Sequence, residues 1–127
     1  MYKEVIICLI IIVLVIGFNM ITEKYTEVAI SNMDEKLDKL EDNILNNENE
    51  NNSKLMEEVM NTWKDKKAIL EYYIEHDELE KVETELYELK AKMDTKDYDE
   101  GLTDIEKGMF ILKHIKEKYK LRIQNIF

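Results

Sequence analysis

The chain carries the stretch VIICLIIIVLVIGF at residues 5–18, fourteen positions without one polar side chain. Apolar character resumes after a single asparagine and ends at Ile21. At a rise of about 1.5 Å per residue, residues 5–21 form roughly 25 Å of helix, close to the roughly 30 Å of a bilayer's hydrocarbon core. The sequence therefore predicts a single transmembrane anchor over residues 1–21 and a separate domain over residues 22–127.

The anchor is expected to be retained rather than cleaved. Signal peptidase requires small residues shortly after the apolar run, and the sequence NMITE at residues 19–23 offers none. Cys8 lies inside the run, whereas a lipidated cysteine follows its run, so Cys8 is interpreted as an ordinary apolar membrane residue. Because Cys8 is the only cysteine, no disulfide can form within the chain.

The charge distribution bears on orientation and on partners. Lys3 and Glu4 cancel, so the whole formal charge of −10 falls on the residues after Ile21. Long acidic domains translocate readily, and we therefore expect a single-pass protein of the cell membrane with its N-terminus inside and its C-terminal domain outside. A cytoplasmic domain is the alternative that the nearly balanced positive charges leave open. The acidic balance argues against nucleic acid as a partner.

The domain after the anchor shows the periodicity of helices. The chain contains no proline and only three glycines, so it lacks the residues that usually mark strand ends and tight turns. Apolar residues recur instead at spacings of three and four, which predicts four helices, the first of them continuous with the anchor to about Leu45. The four stripes are Ile30, Met33, Leu37, Leu40 and Ile44; Met56, Val59, Met60, Trp63, Leu70 and Tyr73; Leu79, Val82, Leu86, Leu89 and Met93; and Tyr98, Leu102, Ile105, Met109, Leu112, Ile115 and Tyr119.

Three polar breaks separate these stripes. Residues 43–52 contain six asparagines and two glutamates and are predicted to form a loop. His76 and Asp77 interrupt the pattern again, and Asp77 with Glu80 has the spacing of a capping box. The third break lies at residues 94–97. Short breaks make neighbours antiparallel, so the prediction is an all-α fold: one N-terminal transmembrane helix followed by an antiparallel bundle of about four helices. An apolar tail is expected to fold back onto the bundle, and it comprises Leu121, Ile123, Ile126 and Phe127.

Chemically active residues are scarce. His76, Asp77 and His114 are the candidate metal ligands, because an antiparallel arrangement of the last two helices places His114 at the same end as His76. The preferred interpretation assigns no metal: Asp77 caps a helix, and neither a Glu-x-x-His nor a His-x-x-x-His spacing occurs. No glycine-rich phosphate loop and no serine or cysteine with a nearby histidine is present. We therefore expect no catalytic residues, no cofactor and no enzymatic activity.

The aromatic residues of the second and third helices allow two interpretations. Trp63 and Tyr73 fall on the second helix's own stripe, which favours a structural role in the core. The alternative is a ligand pocket between helices that Trp63 and Tyr73 line together with Tyr72 and Tyr87, because aromatic side chains build apolar sites with a polar group at one end.

The order of these features resembles the bacterial domain-of-unknown-function family DUF4363. The shared features are a short N-terminal anchor, Trp63 in the middle of the second soluble helix, the break HDEL at residues 76–79, a final helix, and the ending QNIF at residues 124–127. The resemblance implies an uncharacterised, membrane-anchored, all-helical protein with no assigned catalytic residues and with a membrane protein as its natural partner. The chain departs from the expected pattern at residues 116–118, where KEK replaces an expected proline.

Two functions are compatible with the sequence. The first is a membrane-anchored helical interaction module that docks on a membrane or cell-envelope protein, with the lipid bilayer as its other partner. The alternative is a ligand- or metal-sensing extracytoplasmic domain. The oligomeric state is left open by the sequence.

Overall fold

A computed structural model describes the backbone of residues 1–126 and the side chains of residues 1–120. In this range the chain is all-α and contains no strand, and a short 3₁₀ turn, Asn49–Asn51, precedes the second helix. The predicted all-α bundle is confirmed. The expected packing of the apolar tail depends on side chains that lie outside the described residues. The helices are α1 (Tyr2–Leu45), α2 (Asn52–Leu70), α3 (His76–Asp94) and α4 (Tyr98–Ile126).

The four helices form an up-down-up-down bundle. The second half of α1 packs against α2 and α4, and α3 packs against the same two helices on the opposite side. Each helix is thus beside its neighbours in sequence, with α1 and α4 closing the ring. We call the end at which α1 enters the bundle the near end; it also contains the turn between α2 and α3, residues 71–75. The far end contains the loops at residues 46–51 and 95–97.

The core is built from the predicted stripes of all four helices. Leu37 and Leu40 of α1 are fully buried, as are Leu79 of α3 and Ile105 of α4. Each such side chain contributes roughly 1.5–3 kcal/mol when it leaves water, so the seam of buried apolar side chains is the main source of stability. Tyr25, Met60, Tyr98, Leu102 and Met109 pack around this core while partly exposed.

The first half of α1 differs from the rest of the bundle. Among the described residues, α1 is the one helix long and apolar enough to cross a membrane, and none of its most apolar window is buried. The helix shows no break between this apolar segment, residues 5–21, and the part that packs in the bundle. With 44 residues, α1 is about 66 Å long. The apolar segment therefore projects from the near end as a direct extension of a core helix.

Both far-end loops begin with the same helix-ending turn. Asn47 after α1 and Lys96 after α3 have positive φ angles of 57° and 59°. The next residues, Glu48 and Asp97, donate their backbone N–H groups to carbonyl oxygens five residues earlier, which is the Schellman arrangement. The carbonyl oxygen of Asn43 is satisfied in this way, and α1 continues through Leu45. The loop predicted at residues 43–52 is therefore shorter at both ends, since α2 already begins at Asn52.

Candidate functional site

Two hydroxyl side chains join α1 to the α2–α3 turn at the near end. The Tyr73 hydroxyl lies 2.7 Å from Oγ1 of Thr26, a hydrogen bond in which either group can donate. Both hydroxyls also lie close to the carbonyl oxygen of Thr22, at 3.2 Å for Tyr73 and 2.7 Å for Thr26. Burial raises the pKa of Tyr73 above its usual value, so the phenol is protonated and able to donate. The contact holds α1 five residues after the apolar segment.

A second tyrosine connects the same turn to α4. The hydroxyl of Tyr119 accepts a hydrogen bond from the backbone N–H of Glu75, at 2.9 Å. The rings of Tyr119 and Tyr73 meet edge to face, with centroids 6.4 Å apart and planes 77° apart. We call Thr22, Thr26, Tyr73, Glu75 and Tyr119 the tyrosine joint. It ties α1, the α2–α3 turn and α4 together at the level where the apolar segment leaves the bundle.

Tyr73 occupies a different element from the one its spacing predicts. The α-helix α2 ends at Leu70, and the N–H groups of Tyr72 and Tyr73 bond to carbonyl oxygens three residues earlier, as in a 3₁₀ turn. Tyr73 therefore belongs to the turn rather than to the stripe of α2. The 3₁₀ turn directs the side chain of Tyr73 towards α1, where its hydroxyl forms a hydrogen bond with Thr26.

The start of α3 also corrects the predicted cap. The helix begins at His76, the N-cap position is Glu75, and no side-chain hydrogen bond caps it. Asp77 therefore lies inside the first turn. Its negative charge interacts favourably with the positive end of the helix dipole, but its side chain does not cap the helix. The carbonyl oxygen of Glu75 accepts from the N–H groups of Glu78 and Leu79, which starts the helix two residues earlier than a cap at Asp77 allows.

The three predicted metal candidates lie on the surface. The side chain of His76 is exposed, with its Nε2 atom 4.0 Å from Oε2 of Glu80 one turn further along α3. Asp77 and His114 are exposed as well. Lys118 faces the buried Glu78, with its Nζ 3.2 Å from Oε1 of Glu78 and 3.7 Å from Oε2 of Glu75. The hydrogen bond with Glu78 raises the pKa of Lys118.

Trp63 lies in the core of the bundle. Its indole is only 2% exposed and packs in the same cluster as the buried leucines of α1 and α3. Its Nε1 atom is buried and has no hydrogen-bond partner within the part of the chain that the structure describes. The indole therefore fills space between the helices.

A group of carboxylates that the sequence analysis did not identify bridges α3 and α4. Glu85 and Glu88 lie one turn apart on α3, and Asp104 faces them from α4. Each offers one carboxylate oxygen, and these three oxygens all lie within 4.8 Å of one another. Burial, followed by the charge of Glu88, raises the pKa of both Glu85 and Asp104. We call these three residues the carboxylate cluster.

One signal in the sequence points to this cluster. Gly101, Asp104 and Gly108 are spaced three and four residues apart, so they share one face of α4, and all three are buried. A charged residue flanked by two glycines on a buried face is unusual, because acidic residues are almost never fully buried without a partner. The pattern is easy to overlook because these three residues each precede a member of the apolar stripe of α4, namely Leu102, Ile105 and Met109.

Taken together, these features define a four-helix bundle domain that extends at one end into a single helix long and apolar enough to cross a membrane. The domain-of-unknown-function family DUF4363 matches residues 20–126, and the chain belongs to that family. The predicted family is thereby confirmed. The match covers the bundle and leaves most of the apolar segment outside. No curated protein and no solved structure matches the chain.

Proposed function

We propose that this chain is a membrane-anchored interaction module. In this proposal α1 crosses the cell membrane once, the N-terminus is inside, and the bundle stands outside to dock on a membrane or cell-envelope protein. The observation that carries the proposal is the continuity of α1, whose apolar segment is exposed and whose second half is a core helix of the bundle. An exposed apolar run of this length is stable only in a membrane or against another apolar surface.

The tyrosine joint supports the same proposal. By fixing Thr26 to Tyr73 just beyond the apolar segment, it couples the orientation of the bundle to that of the anchor. The outer faces of the helices are then held at set heights above the bilayer. Such coupling suits a module that presents a surface to a partner in the same membrane or envelope, and it requires no catalytic residue. We accordingly propose that the chain is not an enzyme.

Phe110 marks the face on which we expect the partner. This side chain of α4 is 72% exposed, has no polar group, and lies beside the partly exposed Ile111. It precedes Tyr119 by nine residues, about 14 Å along α4 from the tyrosine joint. A partner anchored in the same membrane can reach this height with a short segment outside the bilayer.

Site-specific photo-crosslinking tests the proposal in cells. The full-length chain would carry the photoreactive residue p-benzoylphenylalanine either in place of Phe110 or, as a control, in place of the exposed Glu57 on the diagonally opposite helix α2. We expect a discrete adduct from the first position in the membrane fraction, and its loss in the presence of an excess of the unlabelled chain. Equal adducts from both positions, or none from Phe110, would contradict docking on this face.

A further inference from the structure

We propose that Glu85, Glu88 and Asp104 bind one divalent cation of the oxygen-preferring class, Ca²⁺ or Mn²⁺, between α3 and α4. This site lies within the bundle and requires neither the anchor nor a docking partner, so it stands or falls separately from the function proposed above.

The spacing of the three carboxylates fits a single ion. Their oxygens lie within 4.8 Å of one another. Oxygens bind Ca²⁺ at about 2.3–2.6 Å, so two ligands on opposite sides of the same ion are separated by about 4.6–5.2 Å. Carboxylate oxygens without sulfur or imidazole donors suit hard cations such as Ca²⁺, Mg²⁺ and Mn²⁺. The two glutamates come from one helix and Asp104 from the next, so an ion would join α3 to α4.

The burial of Asp104 is an independent reason to expect a ligand. Its side chain is 6% exposed, and its Oδ2 atom has no hydrogen-bond partner among the described residues. Oε2 of Glu85 is buried and lacks a partner in the same part of the chain. A buried carboxylate oxygen without a partner is strongly unfavourable, and such groups are normally paired or bound to a metal.

The neighbouring lysines do not form ion pairs with these buried carboxylates. Lys107 lowers the pKa of Glu85 and, with Lys92, that of Asp104, so both ammonium groups are in the vicinity. Yet none of the ion pairs found among residues 1–120, at N–O distances up to 4.0 Å, includes a member of the carboxylate cluster. The cluster therefore keeps an excess of negative charge that a cation would neutralise.

The packing around Asp104 leaves room on one side. One turn before it, Gly101 is tightly covered by the Met93 side chain. One turn after it, a Cβ atom at the buried Gly108 would meet no heavy atom within 4 Å. The face of α4 next to Asp104 is thus closed on one side and open on the other. A cation with its remaining water ligands can be accommodated on the open side.

Manganese titration of the full-length chain in detergent micelles tests the site. Free Mn²⁺ gives a six-line electron paramagnetic resonance spectrum that is lost on binding, so the stoichiometry and the affinity are measured directly. We expect one Mn²⁺ per wild-type chain, displaced by Ca²⁺, and binding at least tenfold weaker in Asp104→Asn and in Glu85→Gln. Glu57→Gln removes one negative charge from an exposed position on α2 and should leave the affinity unchanged.

Thermal melts in the presence of a chelator provide the second readout. Without a cation, Asp104→Asn should raise the melting temperature, because it removes a buried charge that faces two other carboxylates. With saturating Mn²⁺, the wild type should gain stability and the variant should not. Mn²⁺ binding that is unsaturable, or equal in wild type and Asp104→Asn, would overturn the proposal. So would a stabilised Asp104→Asn variant together with no Mn²⁺ binding by the wild type, since a shared proton would then occupy the cluster.

Discussion

The hydroxyls of Tyr73 and Thr26 lie 2.7 Å apart although 47 positions separate these residues in the sequence. Tyr73 lies in the turn after α2, and Thr26 lies five residues after the end of the apolar segment. Their hydrogen bond therefore adds to the core packing of α1 a polar contact close to the end of the apolar segment. A long helix without such a contact would be free to fray or pivot where it leaves the core.

Removing the Tyr73 hydroxyl should weaken this joint. We expect Tyr73→Phe to lower the free energy of unfolding by about 0.5–1.5 kcal/mol, because the ring stays packed while a partly buried hydrogen bond is lost. Tyr72→Phe is the matched control, since the neighbouring Tyr72 is 84% exposed. Chemical denaturation of the full-length chains in micelles measures the free energy of unfolding of both variants. A double-mutant cycle with Thr26→Val should show non-additive losses, and fully additive losses would mean that the two hydroxyls do not act as a pair.

The indole of Trp63 should be required for a stable core. Trp63→Ala is expected to cost about 3–5 kcal/mol, because it leaves a large cavity between the helices. Trp63→Phe should cost clearly less, since it keeps an aromatic ring and removes an N–H group that lacks a partner among the described residues. Thermal melts compare these variants with Tyr87→Ala, whose side chain is exposed on α3. A Trp63→Ala variant as stable as Tyr87→Ala would show that the indole is not a core residue.

In the turn after α3, one non-glycine residue adopts a backbone conformation that is unfavourable for any residue with a Cβ atom. Lys96 has a φ of 59°, in the left-handed region that glycine adopts without steric cost. Lys96→Gly should therefore raise the free energy of unfolding by up to about 1 kcal/mol. Lys113→Gly introduces the same residue on the exposed face of α4 and should instead cost about 1 kcal/mol. If both substitutions destabilised the chain, the left-handed turn at Lys96 would not be the native conformation.

Stability should increase on mild acidification. Burial raises the pKa of Glu41, and the facing Glu106 of α4 together with Asp38 and Asp42 of α1 adds to the effect. Burial likewise raises the pKa of Asp34, with Asp38 adding and Lys116 opposing. Because these folded-state pKa values lie above the unfolded values, the folded chain binds protons more tightly. Their contribution is present at pH below the unfolded pKa and is lost as the pH rises through the folded pKa.

Denaturation curves from about pH 4 to about pH 8, with a chelator present, measure this dependence. We expect the free energy of unfolding to fall as the pH rises, and Glu41→Gln to reduce the slope. Glu57→Gln, at an exposed position, should leave the slope unchanged. A free energy of unfolding that rises with pH in the wild type would contradict this prediction.

The helices were predictable because apolar spacing is a local property of the sequence. α1 ends at Leu45 as predicted, but the loop after it was predicted too long, since Asn47 adopts the left-handed turn without the glycine that usually marks it. The spacing places Tyr73 on α2 because no residue after Leu70 indicates a 3₁₀ turn. The carboxylate cluster was missed for a different reason: Gly101, Asp104 and Gly108 lie outside the apolar stripe of α4, and the burial of Asp104 also depends on how closely α4 approaches α3 at Gly101.

Cysteine labelling in cells tests the central proposal, a membrane-crossing α1 with an external bundle. In a Cys8→Ala background, single cysteines would replace either Lys3, before the apolar segment, or Glu57, on the exposed face of α2. A membrane-impermeant maleimide added to intact, wall-stripped cells should label the Glu57→Cys chain at once and the Lys3→Cys chain only after lysis. Labelling of the Lys3→Cys chain alone in intact cells would reverse the orientation, and labelled chains recovered in the soluble fraction would contradict the anchor itself.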